Sequence, residues 1–187
     1  MWRGSEFESG NWINGGTVGL DWANIRTTPG FAYSASGLLS TYGDPTAVLT
    51  GTWGPTQTVS AVVKINTAPS GGEAEVELRL RSSISAHSCT GYEFNYSLFG
   101  SYWQIVRWNG PAGSFTYIQS LAPPRALVTG DVLTAKAVGS TLSFYLNGTL
   151  LGTATDSTFT SGSPGIGFYP NSSTLNWGFS SFSATSQ

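Results

Sequence analysis

From Asn11 onward, Gly, Pro, Asn and Asp cut the chain at fairly regular intervals into short segments in which apolar residues recur at every second position. That spacing is the period of a strand, whose successive side chains face opposite ways, and it leaves no long amphipathic helical pattern. Strands are expected over 31–39, 47–53, 58–66, 73–82, 91–98, 102–109, 115–119, 132–138, 141–147, 150–155, 164–169 and 175–184. The cleanest local signal is TLSFYLNGTLLG, residues 141–152, where Asn147-Gly148 supplies the positive φ angles of a two-residue hairpin turn. With 24 glycines, many Ser and Thr and 13% aromatics, the composition suits short strands joined by tight turns, so the class is all-β, a two-sheet sandwich.

A chain of 187 residues suits one domain able to bury a sizeable core. The opening MWRGSEF reads like a translated cloning linker, so residues 1–8 are set apart and 9–187 are taken as the domain, expected to be cut from a longer parent after ATSQ. Eight basic against ten acidic residues, with no cationic cluster beyond Arg79 and Arg81, give no footprint for a nucleic-acid backbone. Cys89 and His87 are each the only residue of their type, which excludes an internal disulfide and a multi-residue zinc set. No apolar run approaches the ~20 residues of a membrane-spanning helix, and the N-terminus lacks the order of a signal peptide.

Charge is concentrated in one place. In a chain with only 10% charged residues, GEAEVELRLR and the next residue put Glu73, Glu75, Glu77, Arg79 and Arg81 at alternate positions. Ala74, Val76, Leu78 and Leu80 are left for the core. The charged side is either a ligand-binding face or a solvated face of cross-strand ion pairs, each worth under about 1 kcal/mol.

The segment from Asp131 to Ala184 (GDVLTAKAVGSTLSFYLNG, then DSTFTSGSPGIGFY, then WGFSSFSA) resembles the C-terminal half of concanavalin A-like lectin/glucanase jelly rolls, including laminin-G-like modules. ELRLRSS, GYEFNYSL and YWQIVRWNG look like the middle strands of the same fold, so the resemblance covers roughly residues 45–184. It implies two stacked antiparallel sheets, with the concave outer face of one commonly holding a polysaccharide, and a strand at Glu73–Arg81 lining that face. The fold hosts binding modules, lectins, glycosidases and lyases alike, so chemistry must be read from the site.

Glu73, Glu75 and Glu77 are similar to the Glu-x-Asp-x-Glu strand of jelly-roll endo-β-glucanases, which would make Glu73 a nucleophile and Glu77 an acid/base with Glu75 between them. The central residue here is Glu, not Asp. Retention needs carboxyls ~5–5.5 Å apart, whereas four residues of straight strand span ~13 Å, so the strand would have to bend. A lyase resemblance through Glu77-Leu78-Arg79 and Gln104-Ile105 lacks its histidine, because Val106 stands in that place. A thiol pair of His87 and Cys89 has no orienting partner. Asp156 and Asp44-Pro45 read as turn formers; no cofactor is expected, and the resemblance leaves a structural calcium open at either. The Asn95, Asn147 and Asn171 tripeptides match glycosylation acceptors.

Aromatics carry the leading expectation, since pyranose rings present apolar faces to Trp and Tyr platforms flanked by hydrogen-bonding groups. YWQIVRWNG places Tyr102, Gln104, Val106 and Trp108 on one side and Trp103, Ile105 and Arg107 on the other, with the core side open at this point. On the preceding strand Glu93, Asn95 and Ser97 point outward. The expected function is binding of a polysaccharide or oligosaccharide by Glu75, Glu77, Arg79, Arg81, Asn95, Gln104, Arg107, Trp103 and Trp108. The module would sit beside other domains of an extracellular or cell-surface parent. An endo-acting hydrolase and a laminin-G-like protein-interaction module are the alternatives.

Overall fold

A computed structural model describes residues 10–34, 43–68, 74–169 and 175–187. In the first half of the chain the strands are β1 (Trp12–Asn14), β2 (Ile25–Thr28), β3 (Phe31–Ser34), β4 (Thr46–Leu49), β5 (Gln57–Ile65), β6 (Glu75–Ser85) and β7 (Ser88–Ser97). They are followed by β8 (Trp103–Pro111), β9 (Phe115–Leu121), β10 (Val132–Val138), β11 (Thr141–Leu146), β12 (Thr149–Thr155), β13 (Ser163–Tyr169) and β14 (Trp177–Ser186). One sheet has the order β1-β4-β13-β6-β7-β8-β9 and the other β12-β11-β10-β5-β14-β3-β2. Neighbours run antiparallel, giving the sandwich the alternation requires.

The same alternation decides what fills the space between the sheets. Val76, Leu78 and Leu80 on β6, Tyr92, Phe94 and Tyr96 on β7, and Trp103 and Ile105 on β8 are buried against Val59, Ala61 and Val63 of β5 and Leu133, Ala135 and Phe144 of β10 and β11. Phe144 sits edge-on to Phe94 at 5.7 Å and to Trp103 at 6.0 Å between ring centres. Each such large apolar side chain contributes about 1.5–3 kcal/mol by leaving water.

The Asn147-Gly148 turn has φ angles of 51° and 79°, as the hairpin requires. The strand expected over 47–53 stops at Leu49, and Trp53 folds back to donate its Nε1–H to the Thr50 carbonyl at 3.0 Å. β1 and β2 carry no alternation long enough to read from sequence, at 3 and 4 residues. The Pro123-Pro124 stretch is a crossover from β9 in one sheet to β10 in the other. Arg125 anchors it by donating to both Asp131 carboxylate oxygens, at 2.6 and 2.7 Å. Burial alone would raise the Asp131 carboxyl, but hydrogen bonds from Arg125, Val128 and Asn147 hold it at about 2.

The first sheet's outer side is not left bare. Between β1 and β2 the chain turns through a 3-10 segment, Gly16–Val18, and lays Leu20 and Trp22 over Cys89, Val106 and Trp108 as a second apolar cluster. His87, at the tip of the β6–β7 hairpin, fixes this segment through its backbone N–H to the Gly19 carbonyl at 2.9 Å and its Nδ1 to Asp21 at 2.5 Å.

Candidate functional site

β6 occupies the middle of the first sheet, so its outer side chains meet those of β13 and β7. Register places Glu75, Glu77 and Arg79 opposite Ser97, Asn95 and Glu93 on β7. On the other flank Glu77 faces Gly167 of β13, where a Cβ would come within 2.1 Å of the Glu77 carboxylate; the missing side chain is what lets Glu77 and Arg79 lie across that strand. Arg79 donates from Nη2 to Glu77 Oε2 at 2.5 Å, places Nη1 2.9 Å from Glu93 Oε2, and lies 3.8 Å from Asp44. Its guanidinium also sits 5.7 Å from the centre of the Trp108 ring.

A chain of polar contacts continues from this cluster across the sheet. Trp108 Nε1 donates to Glu93 Oε2 at 2.5 Å, Asn95 Nδ2 donates to Glu93 Oε1 at 2.7 Å and Gln104 Oε1 at 3.0 Å, and Gln104 Nε2 donates to Ser120 at 3.2 Å. Tyr102 donates its hydroxyl to Glu75. Above this floor opens a cavity of about 260 Å³. Its walls are the aromatic rings of Trp108, Phe115, Tyr117 and Tyr169 with Val106, and its polar lining is Asp44, Glu75, Glu93, Asn95 and Gln104. Tyr117 is the most open ring, 57% exposed, and meets Phe115 edge-on at 5.2 Å.

Several expected site residues lie elsewhere, each for a structural reason. The charged side of β6 is not a solvated surface: Glu77 and Arg79 are fully buried beneath Trp108, Asp44 and their own ion pair. Arg81 leaves that side altogether, because the register shifts between Leu80 and Ser83 and Arg81 takes φ = 49°. The bulge is accommodated by Gly91 at φ = 119°, whose added Cβ would lie 2.6 Å from Ser82. Arg81 then donates to the Pro55 carbonyl from Nε and Nη2, at 2.9 and 2.7 Å, and to the Phe159 carbonyl from Nη1 at 3.0 Å.

Trp103 is a core residue between the sheets, and Arg107 follows it on that side, pairing with Asp156 at 2.6 Å. Asn95, buried in the polar network, is no accessible glycosylation acceptor. Glu73 falls outside the described residues. Glu75, Asn95, Gln104 and Trp108 line the cavity. Sequence reasoning did not assign Asp44, Phe115, Tyr117 or Tyr169 to the site; the shared parity of Phe115 and Tyr117 beside Trp108 was the available signal.

Two of the buried carboxyls hold protons more readily than usual. Burial, then the charge of Glu93, pushes Asp44 and Glu77 well above the ordinary carboxylate range, with Arg79 pulling the other way. Burial alone would lower the Arg79 guanidinium, but Glu93 and Glu77 raise it above its usual value and keep it charged. Asp44, Glu77 and Glu93 bring one oxygen each within 4.8 Å of one another, a donor set a metal could use. Arg79 contacts all three, so the cation these carboxylates face is a guanidinium. Asp156 has its oxygens taken by Tyr92, Thr158 and Arg107, which fits a turn-and-clamp residue better than a calcium donor. Burial also raises the Cys89 thiol to about 12, while His87 stands exposed against Asp21, so the two form no nucleophilic pair.

No family model matches the chain, and no curated protein matches it. Solved structures do. The carbohydrate-binding module CBM66 from Bacillus subtilis superposes with a TM-score of 0.66 at 18% identity, covering 97% of this chain and 99% of that one. The exoplasmic/lumenal domain of VIP36, solved with Ca2+ and Man3GlcNAc, gives 0.63 at 8% identity over 98% of this chain and 87% of its own. The Caenorhabditis elegans galectin LEC-6 gives 0.53 at 13% identity over 78% and 91%. The chain has the concanavalin A-like jelly-roll fold that these carbohydrate-binding modules, lectin domains and galectins share.

Proposed function

We propose that the cavity on the outer side of the first sheet binds carbohydrate, without catalysis, as the module 9–187 of a larger extracellular or lumenal protein. The observation that carries this reading is the pairing, in one cavity, of the aromatic walls of Trp108, Phe115, Tyr117 and Tyr169 with the hydrogen-bonding groups of Glu75, Glu93, Asn95 and Gln104. Apolar ring faces of a sugar rest on the former and its hydroxyls meet the latter. About 260 Å³ is just under the ~300–1,000 Å³ of drug-sized sites, room for a sugar residue or two and not a long run of polymer. The fold likeness to carbohydrate-binding modules and lectins supports the same class of ligand.

A hydrolase built on Glu73 and Glu77 is not favoured, because Glu77 is sealed under Arg79 and does not reach the cavity. Native affinity electrophoresis through gels holding neutral, cationic and uronic-acid polysaccharides tests the reading. Retardation by one polymer, weakened in Tyr117→Ala, is expected; migration unchanged in every gel would overturn it.

A further inference from the structure

Among the described residues, every charged side chain that lines the cavity is an acid: Asp44, Glu75 and Glu93. The guanidinium nearest to them belongs to Arg79, which is buried and engaged with Glu77 and Glu93. One positive charge stands against four carboxyls when Glu77 is included, and that excess opposes any anion that enters. The hydrogen-bond balance tilts the same way. Asn95 is only 2% exposed and borders the cavity, yet it directs its N–H groups to Glu93 and Gln104 and leaves its Oδ1 without a donor. Trp108 gives its N–H to Glu93, and Gln104 gives Nε2–H to Ser120. Among the described residues that line the cavity, the one buried polar side-chain atom left without a partner is therefore an acceptor, Asn95 Oδ1.

We propose, building on the sugar-pocket reading, that the cavity selects an amino sugar bearing a free, protonated amine over its N-acetylated or neutral counterpart. An ammonium brings three donors and no acceptor, which complements an acceptor-rich floor, whereas an acetamide brings a bulky acceptor into it. The Tyr117 ring, 57% exposed at the cavity wall, adds attraction for a cation that a neutral hydroxyl does not receive. A uronic acid meets the opposite situation, with its charge facing carboxylates and, among the described residues, no cation lining the cavity. Because Asp44 and Glu77 hold protons above the usual range, an arriving ammonium favours their ionised forms, and binding in mildly acidic buffer expels protons.

Calorimetric titration of the intact chain with the β-1,4-linked glucosamine disaccharide, its N,N′-diacetyl form and cellobiose at about pH 6, where the amine is protonated, decides the matter. The free amine is expected to bind about tenfold tighter than the other two, to lose several-fold in roughly 0.5 M salt, and to release protons, seen as a dependence of the heat on buffer ionisation. Glu75→Gln should reduce that preference, weakening the free amine several-fold more than cellobiose. Equal or tighter binding of cellobiose or the diacetyl sugar, abolished by Tyr117→Ala, overturns the amine assignment and leaves the sugar pocket standing. Binding of putrescine as tight as that of the amino sugar overturns it too, since the amine alone would then be the ligand. No binding by any of these sugars, with no retardation by any polysaccharide, overturns both.

Discussion

Arg79→Met removes the cation from the buried cluster while keeping a side chain of similar length. Unit charges 2.9 Å apart, as Arg79 and Glu93 are, attract by about 6 kcal/mol at an effective dielectric of ~20, and Glu77 at 2.5 Å is bound at least as strongly. Most of that attraction offsets the cost of taking the ions out of water, so the pair itself adds little net stability. Deleting one partner leaves Glu77, Glu93 and Asp44 buried within 4.8 Å of one another, a loss of about 3–5 kcal/mol at pH 7.

The sign of the pH dependence follows from the raised carboxyls. Asp44 and Glu77 have folded values well above 3.8 and 4.5, so their protonated forms stabilise the fold fully below those values and that contribution disappears as pH rises. Without Arg79, which pulls both carboxyls down, they are raised further and the loss of stability with rising pH is steeper. Urea unfolding should therefore show the variant weakened by about 3–5 kcal/mol near pH 7 but by only about 1 kcal/mol near pH 4. If the variant is unfolded at neutral pH, refolding on acidification is the readout. A loss that is the same at both pH values, or below about 1 kcal/mol at pH 7, would refute a buried, charge-compensated cluster.

Tyr117→Ala should lower sugar affinity about tenfold by isothermal titration, because the ring is a cavity wall, while changing stability by less than about 0.5 kcal/mol, because it is 57% exposed. Trp103→Ala should cost about 3–5 kcal/mol in chemical denaturation and leave the affinity of the folded fraction unchanged, since that ring fills the core against Phe144 and Gly152. Asp131→Asn should cost about 1–2 kcal/mol at neutral pH, a value kept modest by solvent around Arg125. Because the Asp131 carboxyl is held at about 2, its stabilisation is complete above 3.8 and lost as pH falls through 2, so the mutant and wild-type midpoints should converge there.

The sheets were legible because period-two alternation is a local signal: Val76, Leu78 and Leu80 are core for the reason visible in the sequence, and Asn147-Gly148 turns as its chemistry demands. The outer face was legible only in part. Parity put Glu75, Glu77 and Arg79 together, but whether that side meets water depends on Trp22 and Asp44, which arrive from loops distant in sequence. Arg81 escaped parity because a bulge costs one residue of register and leaves only a glycine opposite as a trace. Trp103 and Trp108 are alike in composition and opposite in fate, since strand β8 alone, apolar on both sides, does not say which side is the core. Tyr169 joins the cavity through the pairing of β13 with β6, a contact between segments some 90 residues apart.

The indole N–H of Trp108 gives the most direct test of the cavity as a carbohydrate site, because it donates to Glu93 at the floor and its ring forms a wall. In 15N-resolved NMR spectra followed through titration with the polysaccharide fragment that retards the protein, the Trp108 indole signal should shift in a saturable way, with backbone signals of Tyr117 and Asn95, while the core indole of Trp103 stays in place. Shifts that leave Trp108 untouched and gather on the second sheet, or on the β10–β12 hairpins, would contradict a sugar site on the outer face of the first sheet.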